Sequence, residues 1–393
     1  RHNRSRENKM IWEELTRQLQ SLSENNLLRQ RKTLESACST QAVIDGRTVL
    51  AFCSNDYLGL ASHPALADAV CASARQWGTG SGSSHVVSGH MGPHDALEKA
   101  LAGFVGADRA LFYSTGYMAN VGVVPTLVGR GDAVFADRLN HASLIDAVQL
   151  SRAEHRRYAH NDMEQLEKML VASDAKRKLI LTDAVFSMDG DLAPLKALIG
   201  LAERYDAWLV VDDAHGFGVL GREGRGSLDH AGLSFSPRLV YVGTLGKAAG
   251  VSGAFVAGSE TVIEWLMQRS RSYIFTTATS PVMASAILAS LELIRNGDDR
   301  RCHLQALIDR LQRGLDGSKW KLLPSFTAIQ PVVVGENDAV LNVSAELAKR
   351  NIWVPAIRPP TVPKGSARLR ISLSAAHTHE QVAQLVDALW EMA

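Results

Sequence analysis

The chain has 393 residues, 46% hydrophobic and 21% charged, the balance of a folded globular protein with length for more than one domain. Its formal net charge of +1 gives nucleic acid or an anionic membrane surface no electrostatic hold, and no apolar run approaches the roughly 20 residues of a spanning helix. Cys38, Cys53, Cys71 and Cys302 are scattered without a Cys-x-x-Cys pair, which argues against a disulfide framework or thiolate zinc site and for a reducing, cytoplasmic setting.

Residues 1–9 are polar and basic without apolar periodicity, the pattern of a mobile arm, with Met10 as a candidate start and no charged-then-apolar leader. From Ile11 to about Arg31, the spacing of Ile11, Leu15, Leu19, Leu22 and Leu27 predicts an amphipathic helix. Beyond Pro64, helical patterns cover about 64–77, 94–105, 116–127, 142–150, 163–172 and 195–205. Between and after them lie short apolar runs at 110–113, 133–136, 179–182, 208–211 and 239–242. Short runs flanked by helices predict βαβ units around a mainly parallel sheet covered on both faces, an α/β fold. After Pro281 come two long helical patterns, a strand over 328–334, a helix near 338–350, a strand over 367–373 and a closing helix from about 378. That rhythm predicts a smaller α+β domain. The expected division is an arm and helix over 1–57, a large domain over 58–292 and a small domain over 293–393.

In an open α/β sheet, ligands sit beyond the carboxyl ends of the strands, so polar residues that end an apolar run carry the information. The 208–211 run ends in Asp212-Asp213-Ala214-His215, and the 239–242 run in Gly243-Thr244-Leu245-Gly246-Lys247. The 179–182 run leads into Phe186-Ser187-Met188-Asp189-Gly190, and the 110–113 run into Ser114-Thr115-Gly116-Tyr117 at a helix start. Four strand ends thus bring a lysine, a carboxylate, an imidazole and hydroxyls to one edge.

Two patterns mislead. Gly216-Phe217-Gly218-Val219-Leu220-Gly221 matches G-x-G-x-x-G, but no helix follows to offer its amides to a pyrophosphate. His85, His90 and His94 lie in a glycine-rich loop without a supporting carboxylate pattern, so they read as solvated or packed histidines and no metal site is expected. Taken singly, Lys247 could be a loop lysine, Asp212 a cap, His215 a core histidine and Ser187 a turn hydroxyl. Together they fit pyridoxal 5'-phosphate (PLP), which needs a lysine for a Schiff base, an acid partner for its ring nitrogen and helix-terminal amides for its phosphate.

The motifs Ser54-Asn-Asp-Tyr-Leu-Gly59, Asp137-Arg-Leu-Asn-His-Ala-Ser143, Phe186–Gly190, Val211-Asp-Asp-Ala-His-Gly216 and Gly243–Lys247 resemble, in this order, the α-oxoamine synthases, fold-type I PLP enzymes. The resemblance runs from about Ser54 to the end. It implies that Lys247 carries the Schiff base, Asp212 pairs with the ring nitrogen and His141 stacks on the ring. It further implies that Ser187 and His215 approach the ring hydroxyl, while the backbone of Gly116 and Tyr117 with the Thr244 hydroxyl holds the phosphate. Thr276 and Thr277 match hydroxyls that the family presents from a neighbouring subunit, which implies a homodimer with shared sites. Arg370 matches the arginine for the amino-acid carboxylate, and Asn55, Arg29 and Thr361 match further substrate contacts. The stretch Ala356–Arg370 looks most like the biotin-pathway branch. That implies L-alanine and a pimeloyl thioester, on CoA or an acyl carrier protein, as substrates. Relatives that condense glycine or serine with other thioesters, an aminotransferase and a non-catalytic subunit are the competing readings.

Overall fold

The computed structural model describes the backbone of residues 2–392 and the side chains of residues 11–392. Its first helix, His2–Glu24, begins within the stretch expected as a mobile arm and ends before the predicted limit near Arg31. Asn26 adopts a left-handed backbone (φ 55°) and the Leu27 amide turns back onto the Leu22 carbonyl, which closes the helix whatever the spacing of later leucines. The strands β1 (Gln41–Ile44) and β2 (Arg47–Ala51) then form a hairpin around Asp45-Gly46, both with positive φ, the two-residue turn whose twist suits paired strands.

The main sheet comprises β3 (Arg109–Tyr113), β4 (Ala133–Asp137), β5 (Glu154–Tyr158), β6 (Lys178–Asp183), β7 (Ala207–Asp212), β8 (Leu239–Thr244) and β9 (Ala254–Gly258). Their order is β3-β9-β8-β7-β6-β4-β5; β4 to β8 run parallel, and β9 is antiparallel to both its neighbours. Buried apolar side chains form one cluster on each face of the sheet, as expected when helices cover both sides. The parallel strands end along one edge, where the polar turns at 137–143, 183–190, 212–216 and 244–247 lie side by side.

The C-terminal part carries β10 (Lys321–Leu322), β11 (Ile329–Gly335), β12 (Ile352–Trp353), β13 (Ala356–Ile357) and β14 (Ala367–Ser372). Four of these form an antiparallel sheet ordered β10-β11-β14-β13, while β12 pairs with β2 and ties the first hairpin to this part. The expected boundary between 292 and 293 falls inside the helix Pro281–Arg295, and the chain turns at Asn296-Gly297. On β14, Arg368 and Arg370 share a face and reach the loop after β6. Arg368 donates to the Met188 carbonyl and pairs with Asp189, and Arg370 Nε donates to the Ser187 carbonyl at 2.6 Å. Among the described residues, no helix is long and apolar enough to cross a membrane.

The lysine-bearing strand has a tight fit. Gly243 on β8 lies opposite Phe255 on β9, and a Cβ there would stand 2.3 Å from Phe255 Cε1. Gly243→Ala is expected to lower the unfolding free energy by about 1–3 kcal/mol through overpacking. Urea denaturation checks this; an unchanged midpoint would mean that the buried ring yields freely.

Candidate active site

Lys247 sits in the turn after β8 with its Nζ 2.8 Å from His215 Nε2, and His215 Nδ1 lies 2.6 Å from the Tyr57 hydroxyl. Asn55 Oδ1 accepts from both Tyr57 Oη and Arg370 Nη1, each at 3.2 Å. Where the Tyr57 hydroxyl donates to Asn55, its oxygen accepts His215 Nδ1–H and leaves Nε2 as the acceptor for the lysine. One hydrogen-bonded line thus runs from the amine to a guanidinium that is 6% exposed. Nη1 of Arg370 is also held by Ser372, while Nη2 makes no hydrogen bond among the described residues.

Desolvation lowers the Lys247 amine to about 8, against the pull of Asp212 and Asp183, which favour its charged form. His215 is held well below its usual value by burial, then by the positive charges of Lys247 and Arg370, and remains neutral.

Asp212, which ends β7, and Asp213, which follows it, part company because successive residues of an extended segment face opposite ways. Asp212 turns into the site, where Oδ2 accepts from Asn120 Nδ2 at 2.7 Å and Oδ1 from the Ala214 amide at 2.9 Å. Asp213 turns away, is fully buried, and accepts from the Ser227 amide and hydroxyl and the Tyr241 hydroxyl. Burial raises its pKa to about 6 despite those donors. Two glycines near this turn make room for the second carboxylate: a Cβ on Gly216, the first of the 216–221 pattern, would meet Asp213 Oδ1 at 2.2 Å, and one on Gly226, beyond the pattern, would meet Asp213 Oδ2 at 2.5 Å. No α-helix begins in that turn; a short 3-10 turn, Arg222–Gly224, follows.

His141 caps the helix Ala142–Ser151, with Nδ1 accepting from the Ser143 amide, and its backbone N–H donates to Asp183 Oδ2 at 2.7 Å. Solvent still reaches the residue, yet desolvation lowers its pKa, opposed by Asp212. Asp183 ends β6 directly beside Asp212 in the register; burial first, and the Asp212 charge second, raise its pKa well above the carboxylate range.

At the start of the helix Gly116–Leu127, Thr115 caps by accepting the Met118 amide, so the Gly116 and Tyr117 amides open the first turn. The Thr244 hydroxyl stands beside Gly116, 3.8 Å from where a Cβ would be. Tyr117 directs its hydroxyl away, onto Asp146. Ser187 presents its carbonyl to Arg370.

The remaining candidates are not hydrogen-bonded into this cluster. Thr277 and Arg29 are exposed, Thr276 is half-buried, and none of them makes a side-chain hydrogen bond among the described residues. Thr361 is exposed on the turn before β14 and likewise makes no side-chain hydrogen bond among the described residues. The sequence reading gave no role to Tyr57, Asn120 or Asp183, although Tyr57 stands inside the Ser54–Gly59 motif and Asp183 ends a strand as Asp212 does. His85, His90 and His94 do gather, with ring nitrogens within 4.8 Å of one another. Most of those nitrogens are already engaged within the protein. His94 uses Nδ1 for the Met91 amide and Nε2 for the Thr279 carbonyl, while His90 turns one nitrogen to His85 and the other toward Glu98.

The lowered lysine makes a kinetic expectation. In the cofactor-free chain, acetylation of Lys247 by trace acetic anhydride, followed by mass spectrometry, should rise with pH to a midpoint near 8. A free lysine would titrate near about 10.4, and a profile still climbing there would contradict the burial assigned to the amine.

Comparison with known proteins agrees with this geometry. The family described as Aminotransferase class I and II matches residues 47–389. The chain is 66% identical to the 8-amino-7-oxononanoate synthase of Herminiimonas arsenicoxydans, over 97% of this chain and 99% of that protein. It is 60% identical to the protein of the same name from Dechloromonas aromatica, over 98% and 100% of the two chains. Among solved structures, a serine palmitoyltransferase from S. paucimobilis with a bound PLP–myriocin aldimine superposes with a TM-score of 0.91. Its sequence identity is 29%, over 97% of each chain. The sheet order, the strand-end lysine and aspartate, and these matches lead to one statement: the chain belongs to the class I and II aminotransferase family, in its α-oxoamine synthase branch, with the fold-type I architecture.

Proposed function

We propose that this chain catalyses the decarboxylative condensation of L-alanine with a pimeloyl thioester, releasing CO2 and the thiol, which is the 8-amino-7-oxononanoate synthase reaction of biotin biosynthesis. The observation that carries the reading is the hydrogen-bonded line from the Lys247 amine to Arg370, laid beside the buried Asp212. The 66% identity to a relative of that name supports the choice of substrates.

The donor set suits PLP. Lys247 would offer an amine to the aldehyde, Asp212 a buried acceptor to the ring nitrogen, and the Gly116 and Tyr117 amides donors to the phosphate, with the Thr244 hydroxyl turning to it from the Gly253 carbonyl to which it donates. Ser187 and His215 then serve the ring hydroxyl, and Thr276 and Thr277 the phosphate held by a neighbouring copy in a homodimer. Bound there, PLP supplies an electron sink for the negative charge that develops at the alanine α-carbon.

The chain's own residues do the rest. Arg370 receives the alanine carboxylate with its unengaged Nη2, and guanidinium geometry suits that task. Asn55 holds Nη1 of the same guanidinium. Lys247 Nζ, lowered to about 8, takes the α-proton, and the α-carbon then bonds to the thioester carbonyl carbon as the thiolate leaves. After CO2 departs, Lys247 returns a proton to that carbon. With its Nδ1 engaged by Ser143, His141 has Nε2 left to serve the reacting centre. Arg29 and Thr361 contact the acyl substrate, carried by CoA or a carrier protein. We place the large domain over 58–292 and the small one over 293–393, with the helix Pro281–Arg295 as the connecting rod.

Thiol release tests the reading, with L-alanine, glycine or serine offered against pimeloyl-, acetyl- and succinyl-CoA. Release with alanine and pimeloyl-CoA alone is the expected result; a preference for another pair would move the chain to a sister reaction. Lys247→Ala should remove both the visible Schiff-base absorption and turnover. Asp212→Asn should retain part of the cofactor binding while turnover falls by about 100-fold or more, since charge stabilisation at the ring is lost. Turnover near the parent level in that variant would refute the role of Asp212.

A further inference from the structure

Asn120 is 1% exposed, the one amide side chain in the helix Gly116–Leu127, whose other buried residues are apolar or glycine. Its Nδ2 group serves two acceptors, Asp212 Oδ2 at 2.7 Å and Ser143 Oγ at 2.9 Å. Ser143, also buried, lies with Oγ 2.8 Å from His141 Nδ1, and its backbone amide approaches the same nitrogen at 3.3 Å. A hydroxyl that accepts from Asn120 has its own proton left to give, and Nδ1 receives it. Asn120 Oδ1 is buried without a partner. Turning the amide over would aim that oxygen at the Asp212 carboxylate, so the two N–H groups, not the carbonyl, are what the residue contributes.

We propose that Asn120 is a positioning residue that couples the two functional side chains: one amide hydrogen holds Asp212 as an acceptor, and the other, through Ser143, keeps His141 with Nδ1 accepting and the proton on Nε2. The functional weight of this coupling rests on the PLP reading above; the hydrogen bonds do not. The charged groups that act on the His141 ring are Asp212 and Asp146, which favour its protonated form, and Lys247, which opposes it. Donors aimed at Nδ1 add to that opposition, because a protonated ring would set an N–H against them.

The test is an NMR titration of the histidine side chains in the cofactor-free full-length chain, with the His141 signal identified by its loss in His141→Gln. PLP affinity is then measured on the same proteins. In the parent, His141 should remain the Nε2–H tautomer through neutral pH. Ser143→Ala and Asn120→Ala should each raise its titration midpoint by about half a unit or more and admit the Nδ1–H form. Only Asn120→Ala should also weaken PLP binding, by about tenfold, for one lost hydrogen bond to a charged acceptor. Parent-like titration of His141 in Asn120→Ala, with PLP affinity within twofold, would overturn the proposal. Should Asn120→Ala fail to fold, Ser143→Ala decides, and an unchanged His141 tautomer there is equally fatal. Absence of PLP uptake by the parent would refute the proposed function, whereas the His141 titration in cofactor-free protein still judges Asn120.

Discussion

A buried negative charge at the end of one strand, set beside a buried amine at the end of the next, is the constraint on which the site depends. Asp212 closes β7 and Lys247 follows β8, its parallel neighbour, so backbone pairing alone brings the two turns together. Neither group could stay in such a place undefended. The carboxylate is satisfied by an amide side chain and a backbone N–H, and the amine by an imidazole whose own second nitrogen is tied to a tyrosine. The cost appears as a lysine that gives up its proton near pH 8 and a second carboxyl, Asp183, that resists ionisation.

The C-terminal part contributes through β14. Two arginines of one strand face grip three successive residues of the loop that carries Ser187, and the second of them continues into the line toward Lys247. Placing the C-terminal sheet therefore also places a carboxylate receptor. Because β12 pairs with β2, the motif around Asn55 and Tyr57 is drawn to the same junction. Three remote stretches of sequence meet there, and each is held by hydrogen bonds that cross between parts.

Much of this was legible beforehand. The helix–strand alternation from Pro64 to Thr244 follows from apolar runs too short to be helices, and the strand ends announced Lys247, Asp212, His215 and Ser187. What escaped notice had physical reasons. β5 reads Glu-His-Arg-Arg-Tyr, and a charged edge strand lacks the apolar run that marks a central one. β9 follows the lysine turn with no helix between, so its antiparallel pairing breaks the alternation that revealed the others. The first hairpin was signalled only by Asp45-Gly46. Tyr57 and Asn120 act through partners far away in sequence, His215 and Asp212, and no local pattern encodes such contacts. A lone Asn in an apolar helix was the available clue, since a buried amide must answer to something.

The paired aspartates after Val211 have a consequence for how this chain tolerates insertion and deletion. The two side chains are chemically identical, and only the phase of the strand decides which one meets the site and which one anchors the glycine-rich turn. Slipping β7 by one residue would keep an aspartate at only one of the two places, with Val211 or Ala214 at the other, and would turn the core face of the strand to the opposite helices. For this enzyme the parity of a strand is as much a part of the active site as any side chain in it.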